Sequence, residues 1–176
     1  MNLQKALESA NSRLSTDTSV AWVGTHPARF AQLVEYFLKG NVNVQVRAAW
    51  PLSYCVERHP RLALPHLAQF IRQLQKPGLH DAAKRSIVRL LQFVDIPSRL
   101  QGAAANACFA FVADPGQAPA IRAFAMTVAE NLAKTNPELQ RELALILEDQ
   151  LPYATPAFVS RARKILKRVT TMDHRP

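Results

Sequence analysis

The side chains best suited to binding chemistry lie in one short segment between Arg47 and Tyr54. The segment combines a guanidinium with two aromatic rings, at Trp50 and Tyr54, and it also contains Pro51. A proline inside a helix removes a hydrogen bond, costs about 3 kcal/mol or more and usually kinks the helix. Two interpretations follow. Either a bend presents both rings beside Arg47 as a stacking and anion-binding site, or Trp50 packs beneath a neighbouring helix.

A second group of candidates consists of cations that recur early in successive predicted helices. If these helices line one surface, the cations form a ladder suited to a phosphate backbone, where each contact releases counterions. Alternatively, they pair with acids of neighbouring helices, and Asp81, four residues before Arg85, fits that structural role. Together with the aromatic rings, the candidate binding residues are Arg47, Trp50, Tyr54, Lys84, Arg85, Arg122 and Arg161.

The last predicted helix is also strongly basic. Its favoured interpretation is a solvated end cap, because the terminal units of a repeat protein need a polar outer face. Contact with an acidic partner or with nucleic acid is the alternative. The cations are Arg161, Arg163, Lys164, Lys167 and Arg168.

Catalytic chemistry has little support in the sequence. The five histidines show no metal-ligand spacing, and the chain contains neither a glycine-rich phosphate loop nor the local signature of a serine or cysteine nucleophile. The best carboxylate pair, Glu148 and Asp149, lies near a predicted helix end, where such groups are usually solvated. We therefore expect no catalytic residue, no metal and no cofactor, and a binding module is favoured over an enzyme.

Helical periodicity dominates the chain that carries these residues. In the first clear example, apolar side chains recur at the spacing that places them on one helix face. The same pattern returns in three further segments, spaced by several tens of residues, which indicates a repeat. The first set is Phe30, Leu33, Val34, Phe37 and Leu38. The later sets begin at Leu67, Leu100 and Leu139.

Prolines mark the start of each repeat, because proline suits a first helical position. Pro27, Pro60, Pro97 and Pro137 are separated by 33, 37 and 40 residues, close to the period of helix-pair solenoids. Asn136 is expected to cap the last of these first helices. The predicted second helices are Val44–Glu57, Leu79–Val94, Ala118–Lys134 and Pro156–Thr170.

These elements predict an all-α fold, a short right-handed α-α superhelix of four to five antiparallel helix pairs. One domain is expected over residues 1–170, and it is followed by a frayed tail over residues 171–176. Residues 1–25 form an irregular N-terminal cap, with one further helix pair over residues 3–24. The predicted repeats span residues 26–59, 60–95, 96–134 and 135–170.

Composition agrees with a globular protein that has a basic surface. The 176 residues are 48% hydrophobic and 20% charged, with a formal net charge of +9. Residues 111–152 are net acidic, while the segments on either side are net basic. The chain offers no apolar run long enough to span a bilayer, and Cys55 and Cys108 are predicted to be reduced core thiols. A cytoplasmic location without membrane contact is therefore expected.

The repeat period, the proline-led first helices and the openings Asn43-x-x-x-Arg47 and Asp81-x-x-x-Arg85 resemble HEAT repeats over residues 26–170. The segments RAAWPLSYCVERHP, LHDAAKRSIVRLLQF and LEDQLPYATPAFVSRARKIL are similar to a small group of bacterial HEAT-like proteins that sometimes carry an adenylosuccinate lyase name. The lyase activity is not expected here, because the chain lacks a loop like the lyase signature and is far shorter than a lyase subunit.

The resemblance implies an interaction module that binds a protein or peptide through the face lined by the second helices. The alternative is a nucleic-acid binder with a basic concave groove, similar in architecture to HEAT-like DNA-alkylation-repair glycosylases. The net acidic segment at residues 111–152 argues against this alternative, and fold alone does not define function.

Overall fold

The computed structural model describes Leu3, Leu7 and residues 13–172, and this part of the chain is helical without any strand. The predicted all-α class is therefore confirmed. The chain forms two compact units, unit 1 (Met1–Asp95) and unit 2 (Ile96–Pro176). Their boundary coincides with the predicted start of the repeat over residues 96–134.

Unit 1 is built around one long helix, α3, which packs against α1, α2 and α5. The connections between its helices are short, so that consecutive helices form antiparallel pairs. Its elements are α1 (Arg13–Val23), α2 (Pro27–Lys39), α3 (Val42–Arg58), a 3-10 helix (Pro60–His66), α4 (Leu67–Leu74) and α5 (Asp81–Leu91).

Unit 2 contains two further helix pairs. Helix α7 packs against each of the other three helices, and α8 also contacts α6 and α9. Its elements are α6 (Ser98–Ala113), α7 (Pro119–Ala133), α8 (Pro137–Gln150) and α9 (Pro156–Met172).

Proline and asparagine set the helix starts much as the sequence predicts. Pro27 and Pro137 occupy the first turns of α2 and α8. The Asn136 side chain accepts hydrogen bonds from the backbone N–H groups of Glu138 and Leu139, at 3.0 and 3.3 Å. The predicted cap at Asn136 is confirmed, because its oxygen satisfies two of the donors that a helix start leaves free.

Two details of the predicted elements need correction. The helix that starts at Pro60 is a 3-10 helix up to His66, because Pro65 has no N–H to continue an α-helical ladder. The last helix runs through Thr171 and Met172, and residues 173–176 of the predicted frayed tail lie outside the described residues. Most of residues 3–12, part of the predicted N-terminal pair, also lie outside them.

Pro51 lies inside α3, which continues without a break on both sides of it. The ring itself is buried, and two residues later the Ser53 hydroxyl donates a hydrogen bond to the Trp50 carbonyl at 3.1 Å. The helix therefore extends far enough past the proline to carry Tyr54 and Glu57 on the same element as Trp50.

The predicted apolar faces form the cores of the two units. In α2, Phe30, Leu33 and Phe37 are fully buried, and the Phe37 and Phe70 rings meet edge to face at 6.2 Å between centroids. Cys55 and Cys108 are both buried free thiols, as the sequence predicts. Burial raises the pKa of each thiol to about 12, so both stay protonated at neutral pH.

Gly40, between α2 and α3, occupies a position without room for a side chain. A Cβ placed there would meet the Tyr36 carbonyl oxygen and lie 2.6 Å from Cγ1 of Val44. Gly40→Ala is therefore expected to lower the free energy of unfolding by about 1–2 kcal/mol through overpacking, as measured by urea denaturation.

The matched control is Gly102→Ala. Gly102 lies exposed inside α6, and a Cβ there would meet nothing within 4 Å. Because alanine has a higher helix propensity than glycine, the free energy of unfolding of this variant is expected to rise by about 0.5–1 kcal/mol. Equal effects of the same sign in both variants would contradict the packing assigned to Gly40.

Candidate interaction surface

Two aromatic rings of α3 form the centre of the candidate surface. Trp50 and Tyr54 are four residues apart, so they lie on one face of the helix. Their ring centroids are 5.5 Å apart and the planes differ by 24°, which is a stacked arrangement. Both side chains are half-buried. The stack therefore presents aromatic surface to solvent while its geometry stays fixed.

Helix α5 supplies two guanidinium groups with the same four-residue spacing. The Arg85 guanidinium lies 4.7 Å from the Trp50 ring centroid, and that of Arg89 lies 4.6 Å from the Tyr54 centroid. Each cation is thus held over a ring by the attraction between a cation and an aromatic quadrupole. Matching spacing on two packed helices produces this pairing. We call Trp50, Tyr54, Glu57, Arg85 and Arg89 the α3–α5 face.

Arg89 is fixed by further contacts with α3. It donates hydrogen bonds to the Glu57 carboxylate at 2.7 Å and to the Ser53 hydroxyl at 3.3 Å. The Arg89 side chain is 16% exposed, and that of Glu57 is 38% exposed. This partly buried ion pair joins α5 to α3 beside the aromatic stack.

Arg85 differs from Arg89 because it has no hydrogen bond or ion pair within the described residues. The alternative in which Arg85 pairs with Asp81 is not observed, because Asp81 binds Lys84 instead, at 3.1 Å. Lys84, three residues after Asp81, lies within reach of its carboxylate, whereas the Arg85 side chain extends over the Trp50 ring. Arg85 is thus a half-buried, positioned cation whose N–H donors have no described protein acceptor.

Arg47 contributes to the interior of unit 1. It is half-buried and donates a hydrogen bond to the backbone carbonyl of Leu7 at 3.1 Å. This contact joins α3 to the N-terminal segment, which agrees with the structural alternative for Arg47.

Arg122 is the clearest departure from the predicted ladder of accessible cations. It is only 8% exposed and lies on α7. Its guanidinium donates to the Val112 carbonyl at 2.7 and 3.2 Å and to the Gln150 side-chain oxygen at 2.9 Å, and it lies 4.1 Å from the Phe158 ring centroid. Burial lowers the pKa of Arg122, and the charge of Asp114 partly offsets this. Arg122 therefore cannot line an open groove.

Arg161 lies at a basic cleft between α7 and α9 within unit 2. The cleft has a volume of about 410 Å³ and is lined in part by Arg161, Lys164 and Arg168. Arg161 donates a hydrogen bond to the Thr127 hydroxyl. Arg168 binds both carboxylate oxygens of Glu130, at 2.6 and 3.1 Å. Two of the three cations are thus tied to α7, and Lys164 is exposed.

The structure therefore brings together Trp50, Tyr54 and Arg85 of the predicted set. Elsewhere in unit 1, Arg47 contacts Leu7 and Lys84 contacts Asp81. Sequence reasoning missed Arg89. The available signal was its spacing of four residues from Arg85, which repeats the spacing of Trp50 and Tyr54 on the packed helix.

In the part of the chain that the structure describes, the other chemistry-bearing groups form no comparable cluster. Glu148 and Asp149 are exposed at the end of α8, where the Gln150 amide donates to the Asp149 carboxylate at 3.1 Å. Within the described residues, no group of three or more histidine, cysteine, aspartate or glutamate side chains is placed to hold a metal ion.

The paired helices of each unit are those of a helical repeat scaffold. A model of the HEAT repeat domain matches residues 3–169, and the chain therefore belongs to the HEAT repeat family. No curated protein and no solved structure matches the chain. Among the residues that the structure describes, no helix is long and apolar enough to cross a membrane.

Proposed function

We propose that this HEAT-repeat protein is a non-enzymatic interaction module that binds an acidic segment of a protein partner on the α3–α5 face. The observation that carries the proposal is Arg85. Its half-buried guanidinium is held over Trp50 and keeps its hydrogen-bond donors available. A carboxylate of the partner would accept two parallel hydrogen bonds from such a group.

The composition of the face supports a protein partner. Tryptophan, tyrosine and arginine are the residues most enriched among those that dominate binding energy at protein interfaces. Here all three lie on neighbouring turns of two packed helices. Because Arg89 and Glu57 hold the stack in place, little side-chain order remains to be imposed on binding.

The charge of the same region favours an acidic partner. Lys84 and Arg85 lie on α5 beside Arg89, whereas Asp81 and Glu57 are the acids paired with this group. The cations exceed the acids, so the local potential is positive and attracts carboxylates. An extended peptide with regularly spaced glutamates is the simplest ligand of this kind.

Fluorescence of Trp50 provides the test. The chain has two tryptophans, so Trp22→Phe leaves Trp50 as the only indole reporter. Titration with a synthetic peptide of alternating glutamate and alanine is expected to change the Trp50 emission at low salt. A peptide with glutamine in place of glutamate is expected to cause no change.

Arg85→Glu is expected to weaken binding of the glutamate peptide by about tenfold or more, because a charge-assisted hydrogen bond becomes a repulsion. The matched control is Arg72→Glu on α4, which changes the net charge equally at an exposed position. Equal weakening by both variants would mean that overall charge, and not the α3–α5 face, attracts the peptide.

Arg85→Ala separates binding from stability. Because Arg85 contributes one cation–π contact and no hydrogen bond within the described residues, its removal is expected to cost less than about 1 kcal/mol of unfolding free energy. Thermal denaturation measures this cost. A loss of unfolding free energy several times larger would show that Arg85 mainly stabilises the fold and would contradict its assignment to partner binding.

The α7–α9 cleft supports nucleic acid as a second candidate. Lys164, Arg161 and Arg168 line one cleft, and the phosphate backbone is a ligand for such groups. Fluorescence anisotropy of a labelled DNA duplex and a single strand, at two salt concentrations, tests this candidate. Binding that falls steeply with salt and is weakened by Lys164→Glu would support it, whereas no binding at low salt would remove it.

A further inference from the structure

A pocket of unit 1 lies apart from the residues of the α3–α5 face, where the end of α3 and the 3-10 helix meet the start of α2. Its volume of about 510 Å³ is within the usual range for small-molecule sites. Pro27, Pro60 and Pro65 form much of its wall. Because proline rings are apolar and their backbone is restricted, this wall is both hydrophobic and stiff.

The two arginines that line the pocket make its charge positive. Arg58 and Arg61 line it, both are exposed, and neither forms a hydrogen bond or an ion pair within the described residues. No acidic residue of the described chain lines the pocket. Two guanidinium groups beside an apolar wall, without a carboxylate to neutralise them, favour a ligand that carries a negative charge.

His66 adds a fixed polar group to the pocket. Its ring lies 5.7 Å from the Phe30 ring and 6.3 Å from the Phe70 ring, measured between centroids. These contacts hold the imidazole against the core, and its ring nitrogens form no hydrogen bond within the described residues. His66 therefore anchors one side of the pocket to the core of unit 1. Its imidazole N–H is available to a ligand.

We propose that this pocket binds a small carboxylic acid with an apolar body, such as an aromatic acid. The apolar part would pack against the prolines, and the carboxylate would accept hydrogen bonds from Arg58 and Arg61. A highly charged, fully hydrophilic anion would leave the apolar wall uncovered, and a neutral aromatic compound would leave both guanidinium groups unpaired.

Calorimetric titration with three matched probes tests this inference. Naphthoate has both an apolar body and a carboxylate, naphthylmethanol has the body alone, and acetate has the carboxylate alone. Naphthoate is expected to bind at least about tenfold more tightly than either of the others, because a hydrogen bond to a charged group and the apolar contact both contribute. Binding of naphthylmethanol as tight as that of naphthoate would overturn the proposal.

Substitutions then locate the binding. Arg58→Ala and Arg61→Ala are each expected to weaken naphthoate binding by about tenfold and to leave naphthylmethanol unaffected. Arg61→Lys keeps the charge and is expected to lose less naphthoate affinity than Arg61→Ala. The control is Arg72→Ala, at an exposed arginine outside the pocket lining.

All of these side chains are exposed, so the variants are expected to keep the melting temperature of the unchanged protein. Naphthoate affinity that is the same in Arg58→Ala, Arg61→Ala and Arg72→Ala would overturn the proposal. This result would leave the α3–α5 face untouched, because none of its residues is altered.

Discussion

Arg122→Ala is expected to lower the free energy of unfolding by about 3–4 kcal/mol, the largest effect among the substitutions considered. From α7, the Arg122 side chain contacts Val112 of α6, Gln150 of α8 and Phe158 of α9. Its removal leaves the Val112 carbonyl and the Gln150 oxygen without their donor and opens a cavity among four helices. Equilibrium unfolding in urea measures this loss.

Two further variants separate the causes. Arg122→Met keeps much of the apolar stem and is expected to lose about 1 kcal/mol less than alanine, since the cavity is smaller. Arg141→Ala, at an exposed position on α8, is expected to change stability by no more than about 0.5 kcal/mol. A loss below about 1 kcal/mol for Arg122→Ala would contradict the buried network.

Arg89→Ala is expected to cost about 2 kcal/mol, the second-largest effect. The substitution removes the hydrogen bonds to Glu57 and Ser53 and the contacts with the Tyr54 and Phe93 rings. The estimate stays below that for a fully buried group, because Glu57 is 38% exposed and water can solvate it after Arg89 is lost.

A double-mutant cycle isolates the ion pair. Glu57→Gln is expected to cost about 1 kcal/mol, and in the Arg89→Ala background the same change is expected to cost almost nothing. Additive effects would contradict the direct contact between the two side chains. The same variants are also expected to change the fluorescence emission of Trp50 in the Trp22→Phe background. Arg89 holds the Tyr54 ring that stacks on Trp50, so its loss alters the surroundings of the indole.

The periodicity of the sequence was enough to predict the helices and much of the core. In α2, the apolar face, the opening Pro27 and the break at Gly40 are all local signals, and the observed helix follows them. The 3-10 conformation after Pro60 was not predicted, although Pro65 was visible in the sequence. A segment of 7 residues is too short for its apolar pattern to distinguish the three residues per turn of a 3-10 helix from the about 3.6 of an α-helix.

The burial and contacts of each cation depend on residues that are distant in sequence. Arg122 and Arg85 occupy similar early positions in second helices, but Arg122 is buried because Gln150 and Phe158 come from later helices to cover it. Arg85 meets the Trp50 ring from an earlier helix. Spacing predicts which face of a helix a side chain occupies, whereas burial depends on what packs against that face.

The same limit applies to the candidate surface. Trp50 and Tyr54 are four residues apart, a spacing that places both rings on one face of a helix. The depth and register of α5 against α3, which place Arg85 and Arg89 over the two rings, are properties of helix packing. Helix packing in unit 1 thus brings the aromatic groups of α3 and the cationic groups of α5 together.

The measurement that tests the central proposal most directly is a two-dimensional NMR titration of the isotope-labelled protein with the glutamate–alanine peptide. The largest amide shifts are expected to cluster on α3 and α5, around Trp50, Tyr54 and Arg85, and Arg85→Glu is expected to abolish them. Shifts that cluster on α9 around Lys164, or that persist unchanged in Arg85→Glu, would contradict the assignment of the α3–α5 face as the binding surface.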